Sequence, residues 1–163
     1  MRRTLTVTIL AILLAATAVP ARADMGAKFA AIRILDDITV LVDVAGGGLE
    51  PAELRSYAVN AFVRNMRGMV VNDGAVVENY PAAGYEPANV GYIIMKIMSM
   101  HTESGLNVYH LDFEFGIPPR QVYWDTATMG VAPTHLDLRK EVLEDIDEVM
   151  ETFAAAFYTA RGE

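Results

Sequence analysis

The sequence predicts an α+β fold, a two-layer sandwich in which a mainly antiparallel sheet of about four to five strands carries two long helices packed on one face. Three observations carry that expectation. From Gly91 to Phe115 the chain reads as a hairpin, with Ser104-Gly105 between two runs of strand-forming residues, and glycine accepts the positive φ that tight turns require. In its second arm Tyr109, Leu111, Phe113 and Phe115 alternate with His110, Asp112 and Glu114, the period of two that gives a strand one apolar and one polar face. Near the C-terminus Leu138, Val142, Leu143, Ile146, Val149, Met150, Phe153, Ala154 and Phe157 recur at spacings of three and four, the stripe of a long amphipathic helix.

The chain opens with Met1-Arg2-Arg3, an apolar run from Leu5 to Val19, and Ala21-Arg22-Ala23. A basic start, an apolar middle and a small-x-small end make a secretory signal peptide over residues 1–23, cleaved after Ala23. Thr6, Thr8 and Thr17 dilute the run and Pro20 ends it, short of the roughly 20 apolar residues a spanning helix needs. The expected product is a single α+β domain over residues 24–163, periplasmic or secreted, with no stable membrane insertion after cleavage. It has no cysteine, hence no disulfide and no lipid attachment point. Cleavage removes three arginines and no acid, so the formal charge falls from −8 to −11. A surface that acidic repels phosphate backbones and anionic headgroups, which argues against nucleic acid and membrane surfaces as partners.

Met25 to Leu35 has apolar residues without a firm period and reads as a short lead-in helix or a loose arm. Ile38, Val40, Val42 and Val44 then alternate with Thr39, Leu41 and Asp43, which gives a strand. Gly46-Gly47-Gly48 ends it; the glycines lack the spacing and the following lysine of phosphate-cradling loops, so a connector is expected. Pro51 suits a first helical turn, Leu54, Ala58, Ala61 and Phe62 share one face, and Gly68 stops the helix near Arg67. Val70-Val71 makes a brief edge strand. From Ala75 to Asn89, Pro81, Gly84 and Pro87 imply irregular structure, with Tyr80 and Tyr85 as candidate partner-binding aromatics. The first hairpin arm, Ile93 to Met100, is apolar enough for a central strand. Gly116-Ile117-Pro118-Pro119 breaks the second arm, Gln121 to Val131 returns as another strand, and the long helix follows. Its outer face carries Glu141, Glu144, Asp145, Asp147, Glu148 and Glu151, a solvated face without the spacing of a calcium loop.

In layout the chain resembles small two-layer domains of bacterial envelope accessory proteins, the N-terminal domain of TolB and the penicillin-binding-protein activator lipoproteins. The likeness runs over residues 38–115: strand (Ile38–Val44), helix (Pro51–Arg67), a short Val70-Val71 strand, a loop, then a strand introduced by Ala88-Asn89-Val90. The chain departs from that pattern in lacking a lipidated cysteine and in its acidic last helix. The resemblance implies an envelope accessory protein that works by binding another protein, and it carries over no catalytic residues.

A two-residue Ser104-Gly105 turn would set Ser99 opposite His110, His101 opposite Val108 and Met95 opposite Glu114. One polar face would then gather Met95, Ser99, His101, His110, Asp112 and Glu114, with His101, His110, Asp112 and Glu114 as candidate metal ligands. Met95, Met98 and Met100 beside His101 add thioethers of the kind that select Cu(I), although Met98 and Met100 would then face the core, where methionine fills gaps. Ser99, His110 and Asp112 can be grouped as a hydrolytic set only on paper, since Ser99 lies inside a strand with no nucleophile elbow. No cofactor fingerprint is present. The expected function is therefore non-enzymatic: binding to an envelope protein or self-assembly. The alternative is binding of a metal or small ligand on the polar face of the hairpin.

Overall fold

The computed structural model describes residues 32–33, 35, 37–72, 90–117 and 121–163. Strand β1 (Asp37–Gly46) leads to helix α1 (Pro51–Asn65), then β2 (Val70–Asn72), β3 (Val90–His101), β4 (Asn107–Ile117), β5 (Gln121–Ala132) and helix α2 (His135–Arg161). The signal-peptide expectation for residues 1–23 and the candidate contacts Tyr80 and Tyr85 lie outside the described residues.

The strands form one sheet in the order β2-β1-β3-β4-β5. β1 runs parallel to β2 and β3, while β3-β4 and β4-β5 are antiparallel, so the α+β two-layer fold is built on a mixed sheet. The parallel half follows from connectivity: neighbouring parallel strands need a crossover, and α1 supplies it between β1 and β2. β3 is the middle strand, in keeping with its apolar run, and β2 is the short edge.

Both helices bury their sequence stripes, Leu54, Ala58, Ala61 and Phe62 from α1 and Leu138, Val142, Ile146, Val149, Met150, Phe153, Ala154 and Phe157 from α2. The sheet meets them with Ile38 and Val40, Ile93, Met95 and Ile97, and Tyr109, Leu111, Phe113 and Phe115. At the centre the Phe153 ring lies 4.9 Å from Phe115, 5.3 Å from Phe113 and 5.5 Å from Trp124, centroid to centroid. These are tilted contacts at distances where aromatic pairs add to the about 1.5–3 kcal/mol from burying each large apolar side chain.

Local chemistry closes the ends of α2. Thr134 Oγ1 accepts from the Asp137 amide at 3.1 Å and donates to the Asp137 carboxylate at 2.6 Å, an N-cap that also places a negative charge in the first turn. At the far end Gly162 stops the helix with φ +81°, and Arg161 Nη1 donates to the Leu35 carbonyl at 3.1 Å, tying the helix to the approach of β1.

Because Phe153 touches sheet, neighbouring strand and its own helix at once, Phe153→Ala should lower stability by about 3–5 kcal/mol. Urea denaturation followed by circular dichroism measures this, and a loss below about 1 kcal/mol would mean that the aromatic cluster is not the centre of the core.

Candidate functional site

The hairpin between β3 and β4 sets the faces of the sheet. Its loop holds three residues, Glu103, Ser104 and Gly105, between Thr102 and Leu106. The Thr102 amide donates to the Leu106 carbonyl at 2.8 Å and the Gly105 amide to the Thr102 carbonyl at 3.0 Å. Thr102 Oγ1 accepts from the Leu106 amide at 3.0 Å, and Gly105 takes φ +84°. A turn followed by a left-handed residue is the usual build of a three-residue hairpin. The expected two-residue turn is thus corrected by one residue, and a one-residue slip moves one arm's side chains to the other face relative to its partner.

The observed register sets Met95 opposite Phe113, Ser99 opposite Tyr109 and His101 opposite Asn107. Met95 and Ser99 therefore belong to the helix-covered face, where Met95 is fully buried and the Ser99 hydroxyl donates to the Gly47 carbonyl at 2.8 Å. His101 stands on that side too, beyond the helical cover, with Nδ1 3.1 Å from Asn107 Oδ1 and its ring 5.9 Å from that of His135. The opposite face carries His110, Asp112 and Glu114. The four candidate ligands are thus divided by the sheet, and among the described residues no group of three or more His, Asp and Glu is placed to hold a metal. Ser99 is separated from His110 and Asp112 in the same way.

The slip brings other side chains together. Met98, expected in the core, lies opposite His110 on β3, and Met129 of β5 lies opposite His110 on the other side. Met100, Val108 and Val131 form the next rung. These two rungs are apolar and open: relative exposure is 52% for Met98, 64% for Met100, 74% for Met129 and 54% for Val131. Met98, Met100, Val108, His110 and Met129 line a shallow hollow of about 280 Å³. His110 is half-buried, with Nδ1 enclosed and without a hydrogen-bond partner among the described residues. Towards the other end the face turns polar: Lys96 stands opposite Asp112, and Tyr92 donates to Glu114 at 3.1 Å. The sequence names Met98 and Met100 but gives Met129 no role; its signal is the alternation of β5 counted from the bulge between Phe115 and Gly116, which a single strand does not reveal.

A second hollow, of about 370 Å³, lies between β5 and α2 and includes Tyr109, Trp124, Thr126, Thr128 and Asp145 in its wall. Tyr109 donates to Asp145 Oδ2 at 2.9 Å, and Thr128 donates to the same oxygen. Gly130, opposite Tyr109 on β5, makes room for that ring, since a Cβ there would lie 2.3 Å from it. Burial first, and then the bond to Asp145, push the Tyr109 hydroxyl well above the ordinary tyrosine range. Asp147 also has partners, accepting from Tyr57 at 2.6 Å and pairing with Arg64 of α1. Two acids of the expected solvated face thus fasten α2 to its neighbours.

No protein-family model matches the chain, and no curated protein does. Solved structures match at the level of fold. A point variant of the PelC dodecamer from Paraburkholderia phytofirmans aligns at 13% identity over 74% of this chain and 89% of that one, with a TM-score of 0.51. The hypothetical protein CT253 from Chlamydia trachomatis aligns at 10% identity over 75% and 99%, TM-score 0.43. Lipoprotein GNA1162 from Neisseria meningitidis aligns at 13% identity over 74% and 99%, TM-score 0.39. At these identities the likeness is one of architecture and transfers no residue role.

The raised Tyr109 ionisation links stability to alkaline pH. Its folded value exceeds the unfolded value near 10, so the stabilisation is complete below about pH 10 and is lost as pH rises beyond it. Asp145→Asn should make this loss shallower without abolishing it, because burial is the larger cause. Urea midpoints measured on either side of pH 10 test this, and an unchanged slope would remove Asp145 from the account.

Proposed function

We propose that the chain is a secreted, non-enzymatic protein of the bacterial envelope that works by assembling with copies of itself through the exposed, methionine-rich face of its sheet. The observation that carries this reading is the pair of apolar rungs, Met98–His110–Met129 and Met100–Val108–Val131, open at the hairpin end of β3, β4 and β5. Contiguous exposed apolar surface on a soluble domain marks an interaction site, and unbranched, polarisable methionine adapts to a partner's shape. Beyond the two rungs, Lys96, Asp112 and Glu114 give the polar rim that surrounds the apolar centre of an interface.

A second copy is the favoured occupant for two reasons. The chain is acidic, at −8, so copies repel unless they meet on a surface poor in charge. The two rungs contain no lysine, arginine, aspartate or glutamate, while the acids of α2 lie across the sheet. A solved protein of the same fold is a dodecamer, so this architecture is compatible with repeated contact between copies. The leader-like residues 1–23 support secretion, and among the described residues no helix is long and apolar enough to cross a membrane. The separation of Ser99 from His110 and Asp112 supports a role without catalysis.

Sedimentation velocity over a range of concentrations tests the assembly. The wild-type chain should sediment as an oligomer, and Met100→Glu with Met129→Lys should shift it to the monomer while the far-ultraviolet circular dichroism stays unchanged. A wild-type monomer at every concentration, or an oligomer that survives both substitutions, would overturn the reading.

A further inference from the structure

The geometry points to a binding site for a soft monovalent metal ion, Cu(I), made by the thioethers of Met98 and Met129 with the imidazole of His110. This goes beyond the assembly reading, which needs apolar contact area and would survive replacement of the sulfurs by leucine.

Three observations carry it. The first is register: His110 of β4 stands between Met98 of β3 and Met129 of β5, so the three side chains leave one rung of the sheet on the same face. Directly opposed residues have Cβ atoms about 4.5–5.5 Å apart, close enough for the two flexible thioether arms to converge on the ring between them. The second is the hollow at that rung, whose wall includes all three side chains and Met100. Met100 stands one rung further towards the loop and offers a third thioether. The third is His110 Nδ1, which is enclosed yet has no hydrogen-bond partner among the described residues. A buried polar nitrogen in that condition calls for a partner. A cation that binds imidazole and thioether alike would satisfy all three groups at once.

The donor set selects the metal. Thioethers are soft ligands and favour Cu(I), whereas zinc, calcium and magnesium prefer sites richer in thiolate, imidazole or carboxylate. Among the described residues the nearest carboxylate along β4 on this face is Asp112, one rung away and opposite Lys96. The chain has no cysteine, so methionine is its sole source of soft sulfur. Binding needs no redox step: Cu(I) enters and leaves as Cu(I).

The full chain is titrated anaerobically with Cu(I) against a chromophoric Cu(I) chelator, with Zn(II) as a parallel arm. The wild type should take up about one Cu(I) per chain, with sulfur and nitrogen scatterers in the copper X-ray absorption spectrum. Met98→Leu with Met129→Leu should weaken uptake by more than about tenfold, and His110→Asn should remove the nitrogen scatterer. Met95→Leu, a change on the buried face, should leave uptake unchanged. The leucine variants keep the apolar surface, so they should still assemble, which separates failure of this site from failure of the assembly reading. Negligible wild-type uptake, or uptake indifferent to the leucine pair, would overturn the proposal. So would a site that takes Zn(II) more tightly than Cu(I) and is lost in Asp112→Asn.

Discussion

The loop joining β3 to β4 governs the rest of the structure through a handful of hydrogen bonds. Thr102 closes it from both sides, its amide giving to Leu106 and its hydroxyl taking the Leu106 amide, and Gly105 turns the chain back with a positive φ that residues other than glycine adopt at a cost. Those bonds fix which residue of β3 lies beside which residue of β4. Because side chains alternate strictly along a strand, that choice also fixes which of them enter the core and which share the open surface. One apolar row, Tyr109 to Phe115, is held against the helices whatever the loop does. The loop decides whether Met95 or Met98 joins it.

Above that sheet, α2 is more than a lid. Its apolar stripe supplies Phe153 and Phe157 to the aromatic centre, and its flank supplies anchors. Asp145 reaches down to Tyr109 and Thr128, while Asp147 reaches across to Tyr57 and Arg64. Each of these acids accepts more than one hydrogen bond, which offsets part of the cost of withdrawing a carboxylate from water. Exposed Glu144 and Glu148 keep the outer side hydrated. An acidic helix can therefore pack closely on a sheet when a few of its charges are given donors and the rest are left in solvent.

The face of the sheet opposite the helices combines properties that are seldom together: apolar contact area, thioether sulfur and an imidazole nitrogen without a hydrogen-bond partner among the described residues. The same rungs serve both proposals, and their chemistry separates the two. Assembly depends on hydrophobic area, which leucine retains, and Cu(I) binding depends on sulfur, which leucine lacks. The polar rungs nearer Glu114 set the limit of the patch, since Lys96, Asp112 and Asp125 favour water over a dry contact.

From the sequence alone came both helices, all five strands and the core rows of β4 and of the helices, because period and composition are local properties: the α2 stripe and the Tyr109–Phe115 alternation can be read from neighbours along the chain. The mixed direction of the sheet, the division of His101 from His110, Asp112 and Glu114, and the convergence of Met98 and Met129 on His110 were decided only by the tertiary structure. The first follows from how β1, β2 and β3 are connected, and the other two hang on a single residue of loop length and on a bulge beside Phe115. A Ser-Gly pair fits a two-residue turn and a three-residue loop equally well, and the difference is settled by the Thr102 hydroxyl and by how β3 and β4 bury their faces beneath the helices.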